Sequence, residues 1–151
     1  MKENEEFRPL GWTTPDESKR LVELGLSADT CDLWYAERFT ATWNETMNRY
    51  DYSETPYYYL TFAKPSETNF SVDYIRDVPC WSLGILLELI PASINWNQRF
   101  FDYNSICFGN IEAFAYDGRT WHREDAPILI ESAVKTVAWC LENGYMTKAQ
   151  E

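Results

Sequence analysis

Apolar side chains are densest in residues 78–91, where a proline lies near each end of the run. Only Ser82 and Glu88 are polar among mostly large apolar residues. Since a surface helix shows a single apolar stripe, this pattern predicts a short helix that is buried on most of its surface. Ser82 is the expected N-cap and Pro91 the expected end. Gly84 predicts the close approach of another element, because glycine is otherwise unfavourable inside a helix. A buried strand is the competing interpretation of so short a run.

Two further helical patterns precede this run. Thr14 is a good cap, Pro15 suits the first helical position, and Glu17 completes the sequence of a capping box. Gly25 fits the residue that follows a helix, where a left-handed conformation is common. After this glycine, a serine cap and a few apolar positions predict a second short helix at residues 28–35.

A period of two indicates strands on both sides of the central run. Residues 57–63 are rich in tyrosine and predict one strand. Residues 94–101 alternate between apolar and polar side chains, and residues 106–116 are the expected partner strand. The Asp-Gly pair at residues 117–118 is a strong hairpin signal. A short third strand is therefore expected at residues 119–122, which gives an antiparallel meander.

The last helix has the clearest apolar periodicity, with side chains that recur at helical spacing between residues 130 and 141. Asp125 is the expected cap, and Pro127 lies in the expected first turn. Gly144 is the expected residue just beyond the helix, and Tyr145 is placed to pack back onto it, as in a Schellman motif.

These elements predict an α+β fold in which helices pack on one face of an antiparallel meander of three to four strands. The chain has 151 residues, which suits a single domain spanning residues 1–151. No repeat or internal linker interrupts it. We expect residues 1–12 and 146–151 to be loosely ordered.

Aromatic residues make up 17% of the chain, and tyrosine is concentrated in one short stretch. Tyrosine and tryptophan are enriched at interfaces because each combines an apolar ring with a polar group. By composition this stretch is the best candidate for an interaction surface, although a strand with alternate rings in the core would show the same pattern. The candidate residues are Tyr50, Tyr52, Tyr57, Tyr58 and Tyr59.

The formal net charge is −11, and the acidic residues are spread along the whole chain. Direct binding to nucleic acid is disfavoured, because phosphate contacts require clustered lysine and arginine. High net charge also keeps proteins soluble, which is the simplest explanation. The sharper hypothesis is a surface that imitates DNA and occupies a DNA-binding partner.

Catalytic motifs are absent from the sequence. His122 is the single histidine, so it is a weak candidate for a general base. The cysteines show no C-x-x-C pair and no zinc spacing, and we expect them to be small apolar core residues. No metal site, cofactor or catalytic residue is therefore predicted, although scattered carboxylates leave a magnesium site open. The four cysteines are Cys31, Cys80, Cys107 and Cys140.

The amino-terminal residues are acidic and polar, unlike a secretion signal. The central run is also too short to cross a bilayer, which takes about 20 apolar residues. We therefore expect a cytoplasmic protein that does not bind membranes.

Two stretches resemble a known group of sequences. Residues 78–91 are similar to the P-[AC]-W-S-L-G-x-L-L-E-L-[IL]-P segment of small uncharacterised proteins of gut bacteria and their phages or mobile elements. Residues 133–145 resemble the A-x-x-W-L-x-E-N-G-Y ending of the same group, and the first helix with its following Gly-Leu-Ser also fits. The resemblance implies a phage or mobile-element setting, and it carries no activity or catalytic residue.

Three hypotheses for function follow. The first is a non-catalytic protein-interaction module of phage or mobile-element type, whose partner is another protein. The second is an acidic DNA-mimic inhibitor of a DNA-binding protein. The third is a metal-dependent or His122-based enzyme, which would need a pocket where these groups converge.

Overall fold

The structure is a computed structural model that describes the backbone of residues 8–91, 94–100, 109–115, 121–125 and 128–149. Side chains are described for residues 8–91, 94 and 128–149. The fold is α+β with antiparallel sheets, as predicted. In chain order the elements are α1 (Pro15–Glu23), a short 3-10 helix (Ala28–Thr30), β1 (Leu33–Phe39), β2 (Ala41–Asn44), β3 (Arg49–Tyr52), β4 (Tyr57–Thr61), α2 (Pro65–Thr68), β5 (Tyr74–Cys80), α3 (Leu83–Leu89), β6 (Ile94–Phe100), β7 (Gly109–Ala115), β8 (Trp121–Asp125) and α4 (Leu129–Glu142).

The strands form three antiparallel groups within the described residues. A three-stranded sheet has the order β4-β1-β5, and β2 pairs with β3 as a separate two-stranded hairpin. The strands β6, β7 and β8 form the predicted meander, with Ile94 opposite Ala115 and Phe114 opposite Trp121. The Asp-Gly turn predicted at residues 117–118 lies outside the described residues.

The main core lies where the helices meet the meander. Helix α4 packs on β7, β8 and α3, and α1 contacts both α4 and β5. Trp81 is the largest fully buried side chain among those the structure describes, and it belongs to the same cluster as Leu21 of α1, Leu86 of α3 and Val137 of α4. Helix α4 therefore covers the meander, and α1 and α2 pack on β5 of the other three-stranded sheet. The predicted packing of helices on antiparallel sheet is confirmed.

Helix α1 begins and ends where its sequence signals indicate. The Thr14 hydroxyl accepts a hydrogen bond from the Glu17 backbone N–H at 3.2 Å, and the Glu17 carboxylate accepts one from the Thr14 N–H at 2.9 Å. These two bonds are the reciprocal pair of a capping box. Gly25 follows the helix with φ +103°, a conformation that favours glycine.

The second helix predicted at residues 28–35 is wrong. Only Ala28–Thr30 forms a single 3-10 turn, and the chain then enters β1 at Leu33–Phe39. This strand is the central strand of its sheet, so pairing on both sides outweighs the weak local helical preference. Asp32 stabilises the chain just before β1, since its carboxylate accepts a hydrogen bond from the Ser82 N–H at 2.9 Å.

The run at residues 78–91 forms a helix over only part of its length. Its first residues belong to β5, and α3 covers Leu83–Leu89. The cap is confirmed, because the Ser82 hydroxyl accepts a hydrogen bond from the Ile85 N–H at 3.4 Å. The sequence did not predict this strand, because a short apolar run has the same pattern in a buried strand and in a buried helix.

Helix α3 is less buried than its composition suggested. Leu86 is its only fully buried residue, whereas Gly84 and Glu88 are exposed. Among the described residues a Cβ atom at Gly84 would meet nothing within 4 Å, and Gly84 is exposed, so the close approach predicted there is wrong. The leucines and isoleucine on the flanks of α3 are partly buried against the core cluster.

The start of α4 also differs from the prediction. Asp125 lies in β8 opposite Asn110, because the strand pairing extends further than the sequence indicated. The helix begins at Leu129, and the side chain of Ile128 before it makes no capping hydrogen bond. Pro127 lies outside the described residues.

The end of α4 is the predicted Schellman motif. The Tyr145 N–H donates to the Cys140 carbonyl at 2.9 Å, and the Gly144 N–H donates to the Leu141 carbonyl at 3.4 Å. Gly144 has φ +76°. Tyr145 packs against the core cluster, and its ring lies 5.1 Å from that of Trp139 between centroids.

Candidate functional site

The hairpin formed by β2 and β3 is exposed on both faces. All four residues of β3 are exposed, and Trp43 of β2 is 48% exposed. Asn48 in the connecting turn has φ +51°, which asparagine tolerates better than most residues. A two-stranded hairpin has little stability by itself, so contacts with the neighbouring sheet must hold this one in place.

One face of the hairpin carries aromatic rings that form two contacting groups. Trp43 lies opposite Tyr50 in the strand register, with 5.1 Å between ring centroids. Tyr52 shares that face, and its ring centroid lies 6.1 Å from that of Tyr74 of β5. Tyr74 in turn stacks on Phe39 of β1 at 5.6 Å. We call these five residues the aromatic face.

Arg76 extends the aromatic face with a cation. Its guanidinium carbon lies 5.3 Å from the ring centroid of Phe39 and 5.6 Å from that of Tyr74. Such contacts are favourable because the ring face carries negative partial charge. Trp43, Tyr50, Tyr52 and Tyr74 are nevertheless between 41% and 49% exposed. A large area of ring surface is therefore open to solvent.

Asp73 fixes the hairpin to the three-stranded sheet. Its carboxylate accepts one hydrogen bond from the Ala41 backbone N–H at 2.8 Å and another from Arg38 Nε at 2.6 Å. The Ala41 N–H and the Arg38 guanidinium hold the pKa of Asp73 below its ordinary value. Asp73 thus joins the end of β1 to the start of β2 and sets the direction of the hairpin.

We expect Asp73→Ala to loosen the hairpin, because the Ala41 N–H and Arg38 lose their shared acceptor. Amide hydrogens of β2 should exchange about tenfold faster, as expected for loss of charge-assisted hydrogen bonds. Mass-spectrometric hydrogen exchange on the intact protein measures this. Asp51→Ala is the matched control, since Asp51 lies on the opposite hairpin face with Asn44 and Arg49. Equal exchange in both variants would contradict the role given to Asp73.

An ion-pair cluster around a buried carboxylate lies beside the aromatic face. Glu37 of β1 is only 3% exposed, and its carboxylate accepts hydrogen bonds from Lys19 Nζ and the Tyr58 hydroxyl. The Lys19 ammonium also donates to the Tyr58 oxygen at 2.7 Å. Arg76 Nε lies 3.6 Å from the second Glu37 oxygen. The cluster therefore ties α1 to all three strands of the sheet.

The groups of this cluster stabilise one another in their ordinary protonation states. Burial acts to raise the pKa of Glu37, but the hydrogen bonds from Lys19 and Tyr58 and the charges of Lys19 and Arg76 outweigh it, so the pKa is lowered. Burial acts to lower the pKa of Lys19, and its hydrogen bonds to Glu37 and Tyr58 raise it overall. Burial and Glu37 raise the pKa of the Tyr58 phenol. At neutral pH Glu37 is therefore ionised, Lys19 is protonated and Tyr58 is neutral. Groups with such fixed protonation states do not suit proton transfer.

A shallow groove of about 340 Å³ opens above the cluster. Its polar wall is formed by Lys19, Glu37 and Arg76, and its apolar wall by Val22 and Val78. Lys19 and Arg76 share the single Glu37 carboxylate, so the three residues together carry one excess positive charge.

The five candidate tyrosines separate into three environments. Tyr50 and Tyr52 belong to the aromatic face, and Tyr58 points inward to Glu37. Tyr57 and Tyr59 lie on the opposite face of the sheet, with their ring centroids 6.1 Å apart, and both are exposed. The strand register causes this division, because successive side chains point to opposite faces.

The other candidate residues do not converge on a site within the part of the chain that the structure describes. His122 lies in β8 opposite Ala113, and its side chain is outside the described residues. Among the described side chains, no group of three or more His, Cys, Asp or Glu could hold a metal ion.

The described cysteines are free thiols, and Cys80 Sγ lies 3.6 Å from both the hydroxyl and the carbonyl oxygen of Thr13. Cys80 and Cys140 are buried, and Cys31 is partly buried. Burial raises the pKa of Cys80 to about 11 and that of Cys140 to about 12. Since the thiolate is the reactive form, these two thiols are inert core residues, as predicted. Cys107 lies outside the described residues.

No protein-family model matches the chain, and neither a curated protein nor a solved structure does. Within the described residues, every helix is too short or too polar to cross a membrane.

Proposed function

We propose that the chain is a non-catalytic protein-interaction module that binds another protein through the aromatic face. The observation that carries this proposal is the exposure of four rings, Trp43, Tyr50, Tyr52 and Tyr74, on one face of the hairpin and the adjoining strand β5. Contiguous exposed apolar surface is uncommon on monomeric proteins unless it has a binding role. Tyrosine and tryptophan also supply much of the binding energy at interfaces.

A basic protein surface is the partner chemistry that fits best. The chain has a net charge of −11, which attracts and orients a basic partner over long distances. The exposed ring faces then offer contacts to arginine and lysine side chains of that partner. We propose a cytoplasmic, phage or mobile-element setting, which the sequence resemblance and the free thiols Cys31, Cys80 and Cys140 support.

The ion pairs of some acidic residues favour this choice over a DNA mimic. A mimic needs carboxylates that are free to replace phosphates. Several described carboxylates are instead held in ion pairs within the fold, including Glu17 with Arg8, Glu37 with Lys19 and Asp73 with Arg38. The hypothesis of a His122-based enzyme depends on a side chain outside the described residues.

The test compares capture by matched variants. We expect Trp43→Ser with Tyr52→Ser to weaken binding at least about tenfold, since interface aromatics are common hot spots. Tagged wild type and variant are incubated with nuclease-treated lysate of the source organism, and captured proteins are quantified by mass spectrometry. The captured protein is then purified, and its affinity is measured by calorimetry.

Leu10→Ser is the control, because Leu10 is 65% exposed and lies toward the opposite end of the sheet, beside Trp12, which bridges to Ser82. The proposal requires one stoichiometric basic protein that the wild type and the control retain and the double variant loses. An identical set of captured proteins for all three would contradict it.

A further inference from the structure

The groove above the ion-pair cluster is positively charged, although the protein as a whole is acidic. Lys19, Arg76 and Glu37 together carry one excess positive charge, whereas the whole chain carries −11. The two cations contact different oxygens of the same carboxylate, so their charged groups lie close together at the groove. Opposite charges at such short range attract each other even near a protein surface. The groove therefore favours a bound anion.

Two further carboxylates border the groove but do not cancel its charge. Asp77 points to the opposite face of the sheet from Arg76, because successive residues of a strand alternate. Its carboxylate accepts a hydrogen bond from the Ser66 backbone N–H at 2.8 Å. Glu23 is 70% exposed in its side chain and lies 3.8 Å from a terminal nitrogen of Arg20, which balances its charge. The local excess of one positive charge therefore remains.

Both cations of the groove keep hydrogen-bond donors for a ligand. The Lys19 ammonium has three donors, and Glu37 and Tyr58 accept two of them. Arg76 approaches Glu37 through Nε, and its two terminal nitrogens have no acceptor among the described residues. The Arg76 side chain is 58% exposed, so an incoming group can reach these nitrogens. Arginine suits a carboxylate because its paired N–H groups match the two oxygens.

The rest of the groove is mainly apolar. Val22 of α1 is 43% exposed, and the buried residues Val78 and Pro79 of β5 line the groove with it. A second shallow hollow of about 570 Å³ shares Val22 and Pro79 and extends the groove toward Trp34. An apolar group placed here removes apolar surface from water, which is favourable. The groove volume of about 340 Å³ lies at the lower end of the range for small-molecule sites.

We propose that this groove binds a small carboxylic acid with an apolar body. The carboxylate contacts Arg76 and Lys19, and the apolar body packs on Val22 and Pro79. A single negative charge matches the single excess positive charge, whereas a phosphate dianion would leave one negative charge uncompensated beside Glu37. The inference goes beyond the proposed function, because binding in the groove does not require the protein partner of the aromatic face.

The first test titrates the purified protein with phenylacetate and follows backbone amides by proton–nitrogen correlation NMR. We expect chemical-shift changes at Lys19, Val22 and residues 76–78, with a Kd of about 1 mM because the groove is shallow. Phenylacetamide has nearly the same shape without the charge, and we expect it to bind at least about tenfold more weakly. Equal binding of acid and amide, shifts centred on another part of the chain, or no shifts with the acid would overturn the proposal.

The second test removes one cation. We expect Arg76→Gln to weaken phenylacetate binding at least about tenfold, because the charge and the paired N–H groups are lost. Arg76→Lys should give an intermediate affinity, since it keeps the charge but not the paired donors. Circular dichroism checks that the variants are folded.

Arg49→Gln is the matched control for this series. Arg49 is 62% exposed in its side chain and pairs with Asp51 on the hairpin, so the variant loses the same charge at a similarly exposed position. It should bind phenylacetate as tightly as the wild type. Equal weakening by Arg49→Gln and Arg76→Gln would contradict the site. These titrations use the purified protein alone, so their failure is distinct from a failure of the partner capture at the aromatic face.

Discussion

Replacing Trp81 by alanine should lower the free energy of unfolding by about 3–5 kcal/mol, the range measured for large-to-alanine substitutions in cores. Trp81 is 0% exposed and packs in the cluster that joins α1, α3 and α4. Its indole N–H donates to the Thr30 hydroxyl at 2.9 Å, and its backbone N–H donates to the Thr13 hydroxyl at 3.2 Å. The alanine variant loses the packing and leaves Thr30 without this donor.

Urea denaturation followed by circular dichroism measures the effect. Because the alanine variant could fail to fold altogether, Trp81→Phe provides a second measurement with an expected loss of about 1–2 kcal/mol, mainly from the indole hydrogen bond. Trp43→Ala is the matched control, since Trp43 is 48% exposed on the hairpin. Equal losses for Trp81→Ala and Trp43→Ala would show that the described core does not dominate stability.

Replacing Glu37 by glutamine should lower the free energy of unfolding by about 2 kcal/mol at neutral pH. The carboxylate accepts charge-assisted hydrogen bonds from Lys19 and Tyr58 and lies near Arg76. Breaking a fully buried ion pair costs about 3–5 kcal/mol. The expected loss is smaller here because Lys19 is 42% exposed in its side chain and water can solvate it once the carboxylate is gone.

The stability difference between wild type and Glu37→Gln should depend on pH. Since the pKa of Glu37 is lowered on folding, its contribution is complete above the unfolded value of about 4.3 and is lost as the pH falls through the folded value. The difference is therefore constant near neutral pH and narrows below about pH 4. Urea titrations at several pH values measure it.

Glu23→Gln is the control for this series. Glu23 lines the same groove, but it is 70% exposed in its side chain and its contact with Arg20 is long, at 3.8 Å. Exposed ion pairs of this kind contribute at most about 1 kcal/mol. A pH-independent difference for Glu37→Gln, or an equally large effect of Glu23→Gln, would contradict the ion-pair cluster.

Local signals in the sequence located the helix ends well. The capping box at Thr14 and Glu17 and the Schellman motif at Gly144 both depend on bonds within a few residues. The meander was also predictable, because alternation and spacing are local features. Asp125 gave a wrong start for α4, since a residue type that caps helices well can also lie at the end of a strand.

The central strand β1 could not be predicted in the same way. Its residues contain no strict alternation, and Ala28 to Thr30 do form a helical turn. What makes Leu33–Phe39 a strand is its pairing with β4 (Tyr57–Thr61) and β5 (Tyr74–Cys80), and every paired residue lies at least 19 positions further along the chain. Such nonlocal hydrogen bonds outweigh differences in local propensity of less than about 1 kcal/mol per residue.

Composition pointed to the tyrosine stretch, but only part of it lies on the aromatic face. Trp43, Phe39 and Tyr74 complete that face and were missed, because they come from other strands. The structural roles of Glu37 and Asp73 were missed for the same reason. A cross-strand pattern such as Trp43 with Tyr50 around a turn is the one signal that could have indicated the hairpin.

The sequence by itself determined the α+β class, both ends of α1, the carboxyl end of α4, the meander and the aromatic, acidic character of the chain. These properties depend on composition and on interactions between near neighbours in the chain. The tertiary structure decided which tyrosines share a face, that Glu37 is buried with Lys19 and Tyr58, and that β4 forms a sheet edge. Each of these depends on strand register and order, and a shift of one residue in register reverses every side chain.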